Sequence, residues 1–353
     1  MSDVSCAYIV STSMINALGE STAAVAAAIR ANISAVAETQ FLSQDSHPIK
    51  MANVDADYLP PLEAKLCLAD MHECQRRILR LAGAALNSLK QQLPPEYPIP
   101  IVCALPEILP NIRSAWQGNP LEQLSLQSGI KFDDTLSLVA EIGRAGGVHA
   151  VKHAFKLINS GHDLVLVAGF DSYWDEEILA SLDKDERLLV QDAVDGFTPG
   201  EGAAAILLAS PRFASQIQGL KLALHLPGIA QEEGHRYSDQ PYRGDGLSKA
   251  FKSALTGSAE PIDTLWTSYI YDSFGAKELG IALTRSTKSL MENLEVYHPA
   301  DCLGDLGAAA GPTLMALVHQ LATSGKLQGQ HHLISCSSDL GYRAAVRASL
   351  TKG

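Results

Sequence analysis

Three segments decide the fold: residues 141–161 read EIGRAGGVHAVKHAFKLINSG, residues 163–173 read DLVLVAGFDSY, and residues 195–210 read DGFTPGEGAAAILLAS. Small residues open the first segment, and apolar residues then recur at helical spacing over residues 148–158. A serine and a glycine at 160 and 161 are typical of a helix end. The second segment contains a short apolar run that is typical of a strand buried on both faces. The order is therefore a tight turn, a helix and a buried strand.

Composition restricts the classes of protein that the chain can represent. With 353 residues, 46% of them hydrophobic, it can bury the core of one large or two medium domains. A formal charge of −12 disfavours a nucleic-acid-binding surface, and the basic group Arg76, Arg77 and Arg80 is interpreted as the exposed face of a helix. Six cysteines without a zinc spacing predict reduced thiols in a cytoplasmic protein. No apolar run long enough to span a membrane and no secretory leader is evident in the sequence.

The rest of the chain alternates between helical and strand-like segments. Residues 22–32 predict a helix capped by Ser21, residues 33–66 lack a clear period, and residues 277–291 are read as helical. Residues 342–350 fit either a strand or a helix. The order of elements in the second half repeats that of the first in outline. An α/β protein with sheets flanked by helices is the fold class that this alternation predicts.

The run DGFTPGEGAA at residues 195–204, together with the turn, helix and strand before it, resembles the β-ketoacyl synthases of the thiolase superfamily. The resemblance implies a thiolase-like fold of five layers, α-β-α-β-α, built from two similar halves. We place these halves at residues 1–210 and 211–353. The family signature and its structural positions fall on Gly143, Gly146, Asp195, Gly196, Phe197, Gly200, Glu201, Gly202 and Gly311.

The same resemblance assigns positions to the catalytic cysteine and two histidines of the family. Arg144 falls at the cysteine, Asp305 falls at one histidine within the run LGDLGAAAG, and Thr267 falls within about two residues of the other. Condensation needs a thiolate to carry the acyl group and imidazoles to stabilise the developing enolate. An arginine cannot act as the nucleophile, and an ionised aspartate cannot donate to an oxyanion. The resemblance therefore implies that no catalytic residue is intact.

Two interpretations of Arg144 remain open. Either Arg144 and Asp305 form a partly buried ion pair that fills the former pocket, or Arg144 points to solvent from a surface turn. Glu201 is interpreted as a buried acid that supports its turn. Because His149 and His153 lie four residues apart but lack a third ligand, we expect no metal and no cofactor.

Acids after the second segment, at Asp171 and Asp175 to Glu177, are read as the start of a helix rather than a functional surface.

Three functions are compatible with these residues. The first is a catalytically inactive partner subunit that pairs with an active ketosynthase, as a chain length factor does in fatty acid or polyketide synthesis. The second is an acyltransferase or acyl-binding protein in which Arg144 holds an anionic acyl or phosphopantetheine-linked ligand. The third is a protein-binding scaffold, for example for a secretion-related protein. As partners we expect a second copy or an active ketosynthase-like subunit, with an acyl carrier protein as a further candidate, and neither nucleic acid nor membrane.

Overall fold

A computed structural model describes residues 4–67, 70–94, 97–191 and 193–352 of the chain. The strands are β1 Cys6–Asn16, β2 Ala37–Leu42, β3 Pro48–Met51, β4 Ile101–Ala104, β5 Leu138–Ala140, β6 Leu164–Ser172, β7 Glu201–Ala209, β8 Leu220–His225, β9 Gly228–Gln231, β10 Ile262–Thr267, β11 Leu290–Tyr297, β12 His331–Ser337 and β13 Tyr342–Lys352. The helices are α1 Thr22–Arg30, α2 Glu73–Leu89, α3 Pro120–Ser128, α4 Gly146–Asn159, α5 Glu176–Lys184, α6 Pro211–Ala214, α7 Asp245–Ala254, α8 Ser273–Ser286, α9 Ala300–Leu303 and α10 Ala310–Thr323.

The strands form two sets with the same connectivity. One set has the order β5-β4-β6-β7-β1, and the other has the order β11-β10-β12-β13-β8. In both sets the first two pairings are parallel and the last two are antiparallel. The repetition predicted in outline from the sequence is therefore confirmed at the level of strand order. Strand β8 also pairs with β1, which joins the two sets along one edge.

Helices cover both faces of each strand set, which gives five layers. Helices α4 and α10 lie between the two sets, since α4 contacts β4, β6 and β13 while α10 contacts β1, β7, β8 and β12. Helix α2 covers the outer face of the first set, and α7 with α8 covers the second. Three separate apolar clusters fill the spaces between these layers. The predicted thiolase-like α/β architecture is confirmed, and the predicted boundary at residue 210 lies in the connection between β7 and α6.

The two central helices occupy equivalent places in the repeat. Each follows a single 3₁₀ turn, Gly143–Ala145 before α4 and Gly307–Ala309 before α10. Both turns begin with a glycine in the left-handed region, at φ +61° and +48°. The turns contact each other, so the starts of α4 and α10 meet at the centre of the molecule.

Several local predictions need correction. Residues 33–66 contain the β2–β3 hairpin, in which β2 is mostly exposed without an apolar alternation and β3, with Ile49 and Met51 buried, is only four residues long. The helix expected over residues 277–291 is α8, which begins and ends earlier, and β11 starts at Leu290. Residues 342–350 form a strand because they pair with both β12 and β8. Ser21 caps α1 as predicted, accepting a hydrogen bond from the Ala24 N–H at 3.2 Å.

In the part of the chain that the structure describes, every helix is either too short or too polar to cross a membrane.

Two helical glycines offer a matched test of the central packing. A Cβ at Gly147 in α4 would lie 2.2 Å from Pro312 in α10, whereas a Cβ at Gly280 in α8 would meet nothing within 4 Å. We expect Gly147→Ala to lower the free energy of unfolding by about 1–3 kcal/mol through overpacking. Gly280→Ala should raise it by roughly 0.5–1 kcal/mol through reduced chain entropy. Urea unfolding followed by circular dichroism measures both values, and equal effects of the two substitutions would contradict the described packing of α4 on α10.

Candidate functional site

The turn that carries Arg144 lies at the meeting point of the two halves. Its first residue, Gly143, takes the left-handed φ of +61°, and α4 begins immediately after Ala145. Arg144 is only 5% exposed. Of the two interpretations left open by the sequence, the surface turn is therefore wrong and the buried arginine is confirmed.

Arg144 is bound on three sides. Its Nη1 donates to Asp305 Oδ2 at 2.6 Å and its Nη2 donates to Asp339 Oδ1 at 2.6 Å. Its Nε donates to the Ser337 carbonyl at 2.9 Å. The predicted ion pair with Asp305 is thus confirmed. The second carboxylate was missed because Asp339 lies in a short loop between β12 and β13 whose sequence shows no pattern.

Asp339 is shared by several arginines. Arg187 Nη2 donates to Asp339 Oδ1 at 3.0 Å, and Arg236 Nε lies 3.4 Å from the same oxygen. Burial raises the pKa of the Asp339 carboxyl, but Arg144, Arg187 and Arg236 outweigh burial and hold this pKa well below its ordinary value. Asp339 is therefore ionised at neutral pH. Neither Arg187 nor Arg236 belongs to a motif, and sequence reasoning missed both.

Asp305 is saturated by protein groups. Besides Arg144, its Oδ2 accepts a hydrogen bond from Tyr173 Oη at 2.8 Å, and its Oδ1 accepts one from the Gly307 N–H at 2.9 Å. Its own N–H donates to the Thr198 carbonyl at 2.8 Å, which ties it to the segment before β7. A carboxylate with these partners is a fixed structural anion rather than a free base.

Thr267, the third position predicted from the sequence, ends β10 and is buried. Its Oγ1 accepts a hydrogen bond from the Tyr269 N–H at 3.2 Å. Thr267 and Asp305 line the same cavity of about 20 Å³. The structure therefore brings Arg144 and Asp305 into contact and places Thr267 beside them without a hydrogen bond to either.

Two further acids line a neighbouring cavity of about 40 Å³, together with Arg144 and Asp339. Glu107 accepts hydrogen bonds from the Asp339 and Leu340 N–H groups at 2.9 and 3.0 Å. Burial, followed by the charge of Asp339, raises the pKa of Glu107 to about 7. Sequence reasoning gave no role to Glu107.

The second acid, Asp171, corrects a prediction. It lies at the end of β6, where its Oδ2 accepts a hydrogen bond from the Ala308 N–H at 2.7 Å, and burial raises its pKa to about 7. The sequence placed Asp171 and Asp175 to Glu177 at the start of a helix. The helix start lies at Asp175, which caps α5, and not at Asp171. Gly307 is needed here, because a Cβ at this position would lie 2.0 Å from the Asp171 carboxylate.

The signature residues form a supporting layer. Glu201 is fully buried, pairs with Arg77 at 2.6 Å and accepts hydrogen bonds from the Val54 N–H and Ser172 Oγ, both at 2.7 Å. The structural interpretation of Glu201 is thus supported, and the interpretation of Arg77 as an exposed residue is wrong. The remaining signature positions flank this layer. Gly200 and Gly202 adjoin Glu201, and Phe197 packs on Tyr173. Gly311 contacts Gly147, which is next to Gly146, and the exposed Asp195, which precedes Gly196, accepts a hydrogen bond from Ser273.

The space around Arg144 is small. Cavities of about 40 and 20 Å³ hold one to a few water molecules, whereas pockets for organic ligands measure on the order of 300–1,000 Å³. Across the described ranges, no three His, Cys, Asp or Glu side chains are arranged to hold a metal ion. His149 packs edge-on against Tyr342, with ring centroids 5.8 Å apart.

Comparisons with known proteins agree with this fold. No family model matches the chain. "Actinorhodin polyketide putative beta-ketoacyl synthase 2" of Streptomyces coelicolor is 30% identical over 209 residues, which are 54% of this chain and 48% of that protein. The chain thus spans about half the length of the curated relative it matches.

Solved structures match over nearly the whole chain. The ketosynthase from module 6 of the bacillaene synthase from Bacillus subtilis 168 has a TM-score of 0.75 at 15% identity, covering 98% of this chain and 72% of that one. The ketosynthase ApeO in complex with its chain length factor ApeC, from Xenorhabdus doucetiae, has a TM-score of 0.73 at 16% identity, covering 98% of both chains. At these identities the likeness establishes the fold.

The Arg144 network can be tested by its contribution to stability. Arg144→Met leaves Asp305 and Asp339 buried without their shared cation, so the free energy of unfolding should fall by about 3–5 kcal/mol. Arg144→Met combined with Asp305→Asn should cost less than the sum of the two single substitutions, because the removed groups interact directly. Urea unfolding of the four proteins gives the coupling.

The control for this cycle is Arg212→Met. Arg212 lies 2.6 Å from Asp163, the same separation, but its side chain is largely exposed. Little change in stability is expected there. Additive effects of the Arg144 and Asp305 substitutions would contradict a direct pair.

The raised pKa of Glu107 predicts a pH dependence. Because its folded-state pKa of about 7 lies above the ordinary 4.5, the folded protein binds more protons than the unfolded chain between these values. This contribution to stability is complete below pH 4.5 and is lost as the pH rises through about 7. Between pH 5 and pH 8, the free energy of unfolding of Glu107→Gln should fall by ~2–3 kcal/mol less than that of the unmodified protein. The exposed Glu20→Gln variant is the control, and an unchanged slope for Glu107→Gln would rule out this origin.

Proposed function

We propose that the chain is a member of the β-ketoacyl synthase family and, within it, a non-condensing partner subunit comparable to a chain length factor. The observation that carries the proposal is the buried network of Arg144, Asp305 and Asp339. Arg144 lies in the turn before α4, where the resemblance expects the cysteine, and Asp305 lies where it expects a histidine. The two side chains bind each other, Arg144 also binds Ser337 and Asp339, and Asp305 also accepts hydrogen bonds from Tyr173 and Gly307.

The chemistry of this network does not support acyl transfer. A guanidinium stays protonated at any accessible pH, so Arg144 cannot attack a thioester. Asp305 accepts hydrogen bonds from three protein groups, one of them the Arg144 guanidinium, so its oxygens are already engaged and do not serve a developing oxyanion. Tyr173 directs its hydroxyl at Asp305, and burial together with that carboxylate raises the pKa of the Tyr173 phenol well above its usual range. Arg144, Asp305 and Tyr173 therefore offer no nucleophile at the turn.

The network also fills the space that a ligand would need. The donors of Arg144 point at Ser337, Asp305 and Asp339, so holding an external carboxylate or phosphate would first require breaking these contacts. Only about 40 Å³ remains beside them. These facts favour the partner function over the use of Arg144 as an anion-binding residue.

The edge of the first strand set supports the proposed binding of a partner subunit. Strand β5 pairs with β4 on one side, and among the described residues no strand pairs with its other edge. Leu138, its first residue, is 43% exposed. An unpaired strand edge with an exposed apolar side chain suits pairing with another chain. We propose that an active ketosynthase-like subunit adds to this edge.

The proposal predicts that the protein takes up no acyl group, catalyses no condensation and forms a specific complex with a ketosynthase. Incubation with an acyl-loaded carrier protein should leave the mass of the intact protein unchanged, and malonyl-carrier protein should yield no condensed product, because no thiolate is available. Co-expression with the ketosynthases of its own organism, one at a time, should give a stable one-to-one complex with one of them. Mass spectrometry and size-exclusion chromatography with light scattering are the measurements.

The controls separate the two parts of this prediction. An active ketosynthase must acquire the acyl mass under the same conditions. Leu138→Asp should weaken the complex by placing a charge at the β5 edge, whereas Leu42→Asp, also at an exposed leucine, should not. An acyl adduct on this chain would overturn the non-condensing function, and absence of a complex with every ketosynthase tested would overturn the partner function.

A further inference from the structure

An exposed aromatic cluster follows β10 and is separate from the Arg144 network. The ring centroids of Tyr269 and Tyr271 lie 4.9 Å apart, and each lies 5.4 Å from the ring of His298. Tyr271 is 45% exposed. Aromatic side chains that remain accessible in a fixed arrangement are typical anchors of protein interfaces.

The backbone at Tyr271 is strained. Its φ of +67° lies in the left-handed region, which is a genuine outlier for a bulky residue. Bonds on both sides hold it there: the Tyr269 N–H donates to Thr267 Oγ1 at 3.2 Å, and Asp272 pairs with Arg236. Strain of this kind persists only where the surroundings enforce it, and it concentrates at functional sites. Here it presents an aromatic ring to solvent instead of burying it.

Carboxylates surround the cluster. Tyr271 Oη donates to Asp301 Oδ2 at 2.7 Å, and Asp195 Oδ1 accepts a hydrogen bond from the Ser273 N–H at 2.9 Å, two residues beyond Tyr271. Both aspartates are exposed. Burial, and then the charges of Asp272, Asp195 and Asp301, raise the pKa of the Tyr269 phenol.

The charge of Arg236 does not cancel these carboxylates. Arg236 lies against Asp272 and also 3.4 Å from Asp339, so its charge is already shared by two carboxylates. Asp195 and Asp301 therefore leave the surface around the rings negative. Val194, next to Asp195, is fully exposed and adds an apolar side chain to the same area.

We propose that this surface, the Tyr271 patch formed by Tyr269, Tyr271, His298, Asp195 and Asp301, docks a partner through an exposed arginine-bearing basic segment. A guanidinium stacks on an aromatic face and is attracted by the negative face of the ring. Asp195 and Asp301 supply carboxylates at the rim that match its charge and its forked donors. An acidic partner would be repelled by the same groups. This inference does not depend on the ketosynthase-partner function, because it uses none of the residues of the Arg144 network or of β5.

The direct test uses a fluorescein-labelled peptide of alternating glycine and arginine with three arginines, and matched peptides with lysine or glutamine in place of arginine. Fluorescence anisotropy should give saturable binding of the arginine peptide, weaker binding of the lysine peptide and none of the glutamine peptide. Asp301→Asn should weaken arginine-peptide binding at least fivefold.

Tyr271→Gly is the sharpest variant because it separates binding from folding. Glycine accepts φ +67° without strain, so the melting temperature should stay level or rise while peptide binding falls at least fivefold. Tyr271→Phe keeps the ring and should retain most of the binding. Tyr58→Ala is the matched control, since Tyr58 is 65% exposed elsewhere on the surface.

Three results would overturn the proposal. They are absence of saturable binding, equal binding by Tyr271→Gly and the unmodified protein, and equal loss in Tyr58→Ala. The second would mean that the peptide binds the acidic surface of the protein in general, in keeping with its net charge of −12. The third would mean that an exposed tyrosine elsewhere binds the peptide as well as the Tyr271 patch does.

Discussion

The Arg144 guanidinium joins parts of the chain that belong to different strand sets. It is held in the turn before α4, and its partners Asp305, Ser337 and Asp339 all come from the second set. The loop after β12 is further tied to the first set by Glu107, which accepts from two of its N–H groups. Because these contacts are short and buried, the relative position of the two sets at the centre depends on them. Residues of the same network line the two small cavities beside Arg144.

The internal repeat explains how the network is built. The end of β6 binds the turn of the second half, since Asp171 accepts from the Ala308 N–H, and the loop after β12 binds the turn of the first half, since Ser338 Oγ accepts from the Ala145 N–H. These contacts are reciprocal across the repeat. They differ in that Arg144 occupies one turn and Ala308 the equivalent position in the other. One large charged side chain at one of two equivalent turns therefore fills a centre that the repeat alone would leave open.

Sequence patterns predicted the fold better than the site. The apolar periodicities identified the α/β class, because packing between layers imposes patterns on many residues at once. The resemblance carried by residues 195–204 supplied the five-layered architecture. The Arg144–Asp305 pair followed from aligning two motifs. Asp339, Arg187 and Glu107 could not be foreseen, since each lies in a loop and acts through one side chain whose neighbours are distant in sequence. Tyr271 was also hidden, because a positive φ in a tyrosine leaves no trace in the sequence.

Filling a cavity with a buried ion network has a high desolvation cost. Filling the volume with apolar side chains would avoid the desolvation of charge, and such replacements are often neutral or stabilising. At this site an apolar residue in place of Arg144 would leave Asp305 without the cation that pairs with it among the described residues, and Asp339 with Arg187 and Arg236 alone. The carboxylates cannot be left unpaired, and their oxygens also anchor the Gly307 turn through its N–H. The acids around position 144 therefore require a cation there. The hydrogen bonds and ion pairs that these acids form also hold the loop after β12 in place.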